Sequence, residues 1–349
     1  MFSEKIINWY LENGRKLPWR GTNNPYYIWL SEIILQQTRI EQGKDYYEHF
    51  ICHYPTIKHL ADASEDQVLK SWQGLGYYSR ARNLHATAKY IAYELNGVFP
   101  DTYDAILSLK GVGRYTAAAI ASFSFRLPYP VIDGNVYRLI SRLYGIRTPI
   151  GTTVAYREFE DLLNRLIDPA KPDLFNQAVM DFGSIYCKPS GSNCRECIFC
   201  QECVAYKEGV VCLLPVKPQP TKVKERFFYY FDIRWQSPVD TILVQKRETD
   251  DIWKGLYELP LLEKDKAIPT PNLLSTARHT LIEWFGAEPY SIQVGPSLKH
   301  QLTHRTIRAH FIKVKYRNKP PRIPQTMHET DVTILKTLPI SRLIDRYLY

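Results

Sequence analysis

The stretch LPVKPQPTKVK, Leu214–Lys224, restricts the architecture most, because its three prolines and three lysines describe an extended basic connection through which no helix or central strand can run. On its N-terminal side, apolar residues recur at helical spacing. On its C-terminal side they alternate, as in strands with one buried face. One architecture spanning the whole chain is therefore excluded, and 349 residues suffice for a core on each side. The predicted organisation is an all-α domain at 1–207, a basic Pro-rich connection at 208–225 and an α+β domain at 226–349.

Within the helical part, the most informative segment is Leu109–Val136, LKGVGRYTAAAIASFSFRLPYPVIDGNV. Gly111 and Gly113 bracket Val112 between two helical patterns, so the backbone can turn tightly and offer amide N–H groups at the start of a helix over Arg114–Ser124. Such a turn suits a phosphate, and the helix dipole adds to the attraction. The same residues also fit an ordinary helix–helix turn. Asp133 follows the proline-punctuated loop Leu127–Pro130 and is placed to cap a further helix, Gly134–Tyr144. Other helices are predicted at Phe2–Asn13, at Tyr27–Arg39, over Asp45–Leu95 with breaks near Tyr54-Pro55, Gly74 and Gly76, and at Thr152–Ile167 and Asp173–Tyr186. In YIWLSEIILQQTR, Glu32 lies one turn from Ile28 and Trp29 and from Leu35 and Gln36, on a partly apolar face that raises a carboxyl pKa. A carboxylic acid still partly protonated near neutrality can act as a general acid. A surface glutamate fits the same spacing.

The formal net charge of +9, with 25 Tyr and 7 Trp, fits a polyanionic partner without identifying one. No apolar run is long enough to span a bilayer, and MFSEKIINWY lacks a signal-peptide layout, so a cytoplasmic, nucleoid-associated location is expected.

Taken together, the glycine hairpin and VIDGNV resemble the helix-hairpin-helix DNA glycosylases, and SEIILQQT (Ser31–Thr38) is very similar to the catalytic segment of the adenine DNA glycosylases of the MutY family. The resemblance implies Glu32 as the acid, Asp133 as the second catalytic carboxylate, and Gln37 as a side chain that enters the duplex. It implies that Lys110, Gly111, Gly113 and Arg114 grip the DNA backbone, with Asn135 also at the DNA; Lys110 stands where the family usually shows proline. GLGYYSR (Gly74–Arg80) resembles the family's wedge segment, which assigns Tyr77 to insertion beside the lesion, with Lys70 and Arg80 as nearby cations and Arg82 read as a solvated helix-start residue. FNQA (Phe175–Ala178) matches the pattern in which the glutamine, here Gln177, reads the adenine edge, where a donor lies beside an acceptor. Tyr115 occupies the position at which endonuclease III-like enzymes carry a lysine that attacks the sugar. The resemblance therefore implies a glycosylase without strong strand-nicking activity, the Tyr115 hydroxyl assisting near Asp133.

Seven cysteines in a reducing compartment argue for metal or cluster ligation where they gather. In CKPSGSNCRECIFCQEC, Cys187, Cys194, Cys197 and Cys203 have the spacing C-x6-C-x2-C-x5-C, which matches the [4Fe-4S] loop of the same superfamily. Cys200 creates an alternative C-x2-C-x2-C-x2-C series and is left as a spectator or substitute ligand. Zinc is the structural alternative, although the run lacks two well-separated CxxC knuckles. The loop would set Lys188, Arg195 and Lys207 against DNA.

Beyond the connection, strands are predicted at Phe227–Trp235, Thr241–Arg247 and Arg308–Lys315, with helices at Asn272–Phe285 and Ile340–Tyr347. DIWKGLYELP (Asp251–Pro260) is similar to the segment leading into the box of Nudix-type folds, which the MutY family carries C-terminally. Leu261 and Leu262 replace the box glycines, and RHTLIE (Arg278–Glu283) replaces its carboxylate cluster, so a binding role is expected in place of Mg²⁺-dependent hydrolysis. HQLTHR (His300–Arg305) occupies the place of the family's Phe-Ser-His loop, which senses 8-oxoguanine, with Leu302, Thr303 and His304 at the three positions.

The fold expected is thus an all-α, two-lobed helix-hairpin-helix glycosylase domain with an iron–sulfur cluster loop, plus a C-terminal α+β Nudix-like domain. The activity expected is hydrolysis of the N-glycosidic bond of adenine opposite 8-oxoguanine or G in double-stranded DNA by a monomer. Two rivals are an endonuclease III-like pyrimidine-lesion glycosylase/lyase and a non-enzymatic iron–sulfur DNA-damage sensor. Tyr115 opposes the first, and the pair Glu32 and Asp133 opposes the second, since binding alone needs neither.

Overall fold

The computed structural model describes residues 1–218, 223–237 and 240–349. The chain forms two compact units, one of Met1–Asp62 with Ala86–Gln219 and the other of Ala63–His85 with Pro220–Tyr349. In chain order the helices are α1 (Phe2–Asn13), α2 (Pro25–Leu35), α3 (Ile40–His53), α4 (Ile57–Asp62), α5 (Glu65–Ser71), α6 (Ser79–Lys89), α7 (Tyr103–Leu107), α8 (Arg114–Phe125), α9 (Gly134–Tyr144), α10 (Thr153–Leu166), α11 (Pro172–Asp181), α12 (Val204–Lys207), α13 (Thr270–Phe285), α14 (Val332–Leu335) and α15 (Arg342–Leu348). The strands are β1 (Lys224–Trp235), β2 (Thr241–Lys246), β3 (Tyr257–Glu258), β4 (Leu261–Lys264), β5 (Ser291–Gln301), β6 (Arg305–Tyr316) and β7 (Met327–Asp331). Among the described residues no helix is long and apolar enough to cross a membrane.

In the first unit, one core joins Ile6 and Ile7 of α1 to Val136, Leu139, Ile140 and Leu143 of α9, Phe159 and Leu163 of α10, and Phe175 and Val179 of α11. The i, i+3, i+4, i+7 spacing on α9 lays those four side chains along one stripe that faces this core. Helices α2 and α8 pack against each other, and α8 is buried from Thr116 to Ser122. The small side chains of TAAAIAS let neighbours approach α8 closely on every side. Helix α2 begins where the Asn24 side chain accepts from the Tyr26 N–H at 3.0 Å, with Pro25 at the first helical position. It ends at Leu35 and does not continue to Arg39 as expected, because Gln37 turns left-handed at φ 55°. Helix α11 runs on into a π-helical turn, Phe182–Tyr186, whose Gly183 lies so close to Asn135 that an added Cβ would stand 2.7 Å from the Asn135 carbonyl oxygen.

In the second unit, a four-stranded sheet runs β4-β1-β6-β5 and a three-stranded sheet β3-β2-β7. The near-continuous apolar run FFYYF puts β1 in the interior, antiparallel to β4 and parallel to β6 from Lys224 opposite Arg305 to Trp235 opposite Tyr316. Tyr229, Phe231 and Ile233 face Leu273, Ala277, Leu281 and Phe285 of α13. From the opposite face, Tyr230 stacks on Phe311, which stacks in turn on Tyr347 of α15 at 3.9 Å. Lys224 and Glu225, expected in the connection, belong to β1 because the ladder to β6 already starts there. Residues 219–222 of the connection lie outside the described residues.

The segment 63–85, expected with the helical part, groups with the second unit, and its cations explain why. Lys70 donates to the carbonyls of Lys336 at 2.6 Å and Leu338 at 3.2 Å. Arg82, expected to be solvated, donates to the Lys254 carbonyl at 2.6 Å. Arg80 lies over the Trp72 and Tyr77 rings at 5.0 and 5.8 Å. Lys70, Arg80 and Arg82 are thus each engaged by groups of the protein itself.

Candidate active site

A cavity of about 210 Å³ in the first unit gathers Glu32, Tyr115, Asp133, Asn135, Gln177 and Arg20 in its wall. Glu32 reaches it from the middle of α2, where Ile28, Trp29, Ile33 and Ile34 are buried around it and the residue itself is only 6 % exposed. Burial pushes its carboxyl up to about 7, although a hydrogen bond with Tyr115 and the charge of Arg20 pull the other way; the Asp133 charge adds to the rise. Near neutrality Glu32 is therefore still partly protonated. Tyr115, in the first turn of α8, has its hydroxyl raised well above the ordinary tyrosine range by burial and by the Glu32 and Asp133 charges, so it stays a neutral donor.

Asp133 is the N-cap of α9. Its Oδ1 accepts from the N–H groups of Asn135 at 2.8 Å and Val136 at 2.7 Å, and its Oδ2 from the Asn135 Nδ2 at 2.8 Å. Burial raises its pKa, against the pull of these three donors and of Arg138. The Asn135 amide is itself held by Arg138, at 2.9 Å, so this side chain orients Asp133 as well as lining the cavity. Gln177 contributes a wall amide whose Oε1 accepts from the Tyr10 hydroxyl at 2.6 Å. Its neighbour Asn176 is buried and spent on the Val131 N–H and the Ser122 hydroxyl.

Sequence reading missed Asp181, which lies behind this cavity. The Asp181 side chain is fully buried and binds both Arg15 and, at 2.6 Å, Arg20. Burial opposes its ionisation, but the hydrogen bonds from Arg20 and Arg15 outweigh that and lower its pKa. An acid in the middle of the apolar AVMDFG, and an arginine after Leu17-Pro18-Trp19, were the available signals. Replacing Asp181 with alanine leaves two guanidinium groups without their buried partner and should cost about 3–5 kcal/mol. The midpoint of a urea melt measures that loss, and an unchanged midpoint would show the pair to be energetically idle.

The hairpin stands at the junction of α7 and α8. Gly111 is left-handed at φ 81°, and Gly113 caps α8 without any side-chain cap, so the first turn of α8 presents backbone donors. Lys110 and Arg114 are exposed, and the Arg114 guanidinium lies 5.0 Å over the Tyr156 ring. Gln37 is exposed on its left-handed turn.

Cys187, Cys194, Cys197, Cys200 and Cys203 all line one small cavity. Among the described residues no three His, Cys, Asp or Glu side chains converge as a single metal ion requires. A cluster asks for something else, since each thiolate binds a different iron and the four stand further apart. Arg142, buried and also unforeseen, points its guanidinium at the Cys187 sulfur from 3.4 Å, and the Phe199 N–H donates to the Cys197 sulfur at 3.4 Å. Donors of this kind offset thiolate charge around a cysteinyl centre. Lys188, Arg195 and Lys207 on this loop are exposed.

In the second unit, a cavity of about 660 Å³ is lined by Tyr77, Tyr78, Trp253, Leu302, Thr303 and His304, among others. Tyr77 is left-handed at φ 48°, 45 % exposed, and its hydroxyl hydrogen-bonds the Thr303 hydroxyl.

The HhH-GPD superfamily of base excision DNA repair proteins matches residues 30–165, and the NUDIX domain matches residues 233–348. An adenine DNA glycosylase of Buchnera aphidicola subsp. Schizaphis graminum is 37 % identical over 265 residues, covering 74 % of this chain and 74 % of that one. Its counterpart from Buchnera aphidicola subsp. Baizongia pistaciae is 35 % identical over 312 residues, covering 88 % of this chain and 84 % of that one. Among solved structures, a thermostable thymine-DNA glycosylase superposes with a TM-score of 0.56 at 28 % identity, over 59 % of this chain and 95 % of its own.

Proposed function

The chain belongs to the adenine DNA glycosylases, and from that premise we propose how its residues divide the work of releasing adenine from DNA in base excision repair. The observation that carries the reading is the meeting of two carboxyls of opposite character at one cavity: Glu32, apolar-walled with its pKa raised, and Asp133, fixed by three donors. A base inside a duplex is out of reach, so the adenine is extruded into this cavity. Glu32 gives its proton to adenine N7, which makes the base a neutral leaving group as the bond from N9 to C1′ breaks. Asp133 faces the positive charge that develops on the sugar. Water then adds at C1′, and the Glu32 carboxylate takes up the proton released, which restores the starting state. Tyr115 holds the Glu32 carboxyl in place, and Gln177 reads the adenine edge.

The hairpin of Lys110, Gly111, Gly113 and Arg114 grips the backbone, Gln37 enters the duplex, and Tyr77 wedges beside the lesion. The Leu302-Thr303-His304 turn senses 8-oxoguanine opposite the adenine. Residues 1–207, apart from 63–85, form the catalytic domain and 224–349 the lesion-recognition domain, joined through 208–223. Cys187, Cys194, Cys197 and Cys203 would hold a [4Fe-4S] cluster, which when bound ties the loop bearing Lys188, Arg195 and Lys207. The protein acts as a monomer on duplex DNA in the cytoplasm, at the nucleoid.

Base release from duplexes with A opposite 8-oxoguanine, G, T and C tests the reading. Adenine release is expected opposite 8-oxoguanine and G and not opposite T or C, with no borohydride-trapped adduct because Tyr115 offers no amine. Equal release from all four duplexes, or a trapped adduct, would contradict it.

A further inference from the structure

The Thr303-His304 turn is held from behind. It is the tip of the β5–β6 hairpin, closed by the Leu302 N–H donating to the Arg305 carbonyl at 2.8 Å, with Gln301 opposite Thr306. Arg305 is the first residue of β6, and its guanidinium meets the Asp251 Oδ1 at 2.5 Å. Arg226 reaches the other oxygen of Asp251 at 2.5 Å, and Arg247 stands 3.4 Å from that same oxygen. Both are anchored in turn, Arg226 by Glu263 and Arg247 by Glu258 at 3.1 Å and by the Ile252 carbonyl at 3.1 Å. Burial opposes ionisation of Asp251, but the hydrogen bonds from Arg226 and Arg305 prevail and hold its carboxyl well below the ordinary range. Two residues on in the same loop, Trp253 sits in the left-handed region at φ 61° with its ring edge-on to His300 at 5.6 Å. One carboxylate therefore ties together the two walls of the cavity that Tyr77 also lines.

We propose that Asp251 is a positioning residue for selectivity: by binding Arg305, Arg226 and Arg247 at once, it fixes the Thr303-His304 turn over the cavity and so sets the preference for the base opposite the adenine. This rests on the reading of that turn as the sensor. Asp251 and Arg305 line the second unit's cavity and not the one that holds Glu32 and Asp133, so they act on recognition and not on bond breaking. A sensor loosened by about an ångström loses about ten- to a hundredfold in the step it serves.

The test compares wild type, Asp251→Asn, Arg305→Met and the double variant, read as affinity for duplexes with 8-oxoguanine or G opposite a non-cleavable adenine analogue, and as single-turnover excision from A opposite G. The expected result is an 8-oxoguanine preference reduced by about tenfold or more in each single variant, no further loss in the double variant, an unchanged excision rate opposite G, and recovery in Asp251→Glu. Arg305→Met leaves Asp251 with two partners, so it reports on the clamp even if Asp251→Asn melts. A wild type that prefers 8-oxoguanine beside folded variants that keep that preference would overturn the clamp alone, as would losses that add. A wild type without the preference would overturn the sensor reading, and the clamp with it.

Discussion

Asp133→Asn removes adenine release by at least about 10³-fold under single-turnover conditions while leaving binding to the mispaired duplex in place. The expectation follows from how little else the substitution disturbs. Asparagine caps a helix about as well as aspartate, so α9 keeps its start, and its Oδ1 can still accept from the N–H groups of Asn135 and Val136. What disappears is one negative charge whose position was set before the substrate arrived, together with the hydrogen bond that Oδ2 accepts from the Asn135 side chain. The charge that grows on the sugar then meets a neutral amide. Binding draws on other groups, and losing an anion beside a polyanion does not weaken it. Gel-shift affinity measured beside base release separates the two. An Asp133→Asn enzyme that turns over within tenfold of wild type would assign the second carboxyl role elsewhere.

Glu32→Gln is the second large effect, about 10²- to 10⁴-fold in excision rate, with a signature that a merely structural role would not give. Glutamine matches glutamate in shape and keeps a hydrogen bond to Tyr115, so α2 should pack as before. It has no proton to surrender. In wild type the Glu32 carboxyl is raised to about 7, so the acid form prevails below that pH and is lost above it. The excision rate therefore falls as pH rises through about 7, and falls again in acid as Asp133, itself raised by burial, takes up a proton. The residual activity of Glu32→Gln should lack the alkaline fall. If the variant kept it, the titrating group would be another residue. The double variant should be little worse than either single, because the two carboxyls serve one transition state.

How much of this was legible in the sequence depends on the distance over which each feature is decided. Helix α9 matched its predicted bounds because its stripe and its cap, Asp133, lie within one stretch of chain. Glu32 was placed by its motif, whereas its burial comes from packing that one helix does not display. The strands that escaped, β3, β4, β5 and β7, are short or mostly polar, and β5 carries Gly295-Pro296 at the register shift between Val294 and Ser297. A glycine and a proline there read as a turn, while tertiary pairing makes them a bulge. Arg82 was misread for the same reason, since its carbonyl partner, Lys254, lies 172 positions away. Asp181 with Arg15 and Asp251 with Arg305 are likewise pairs that no local pattern joins.

The parallel ladder between β1 and β6 has a consequence for how the chain is made. Lys224 must find Arg305, 81 positions later (305 − 224), before the central pair of the sheet can zip. Parallel pairing at that separation is slow, since the loop entropy is spent before any contact repays it. During synthesis the FFYYF strand leaves the ribosome long before β6 exists, and until then the edge that β6 covers stays open to neighbouring chains even once β4 has been made. The helical segments made earlier hold most of their partners already.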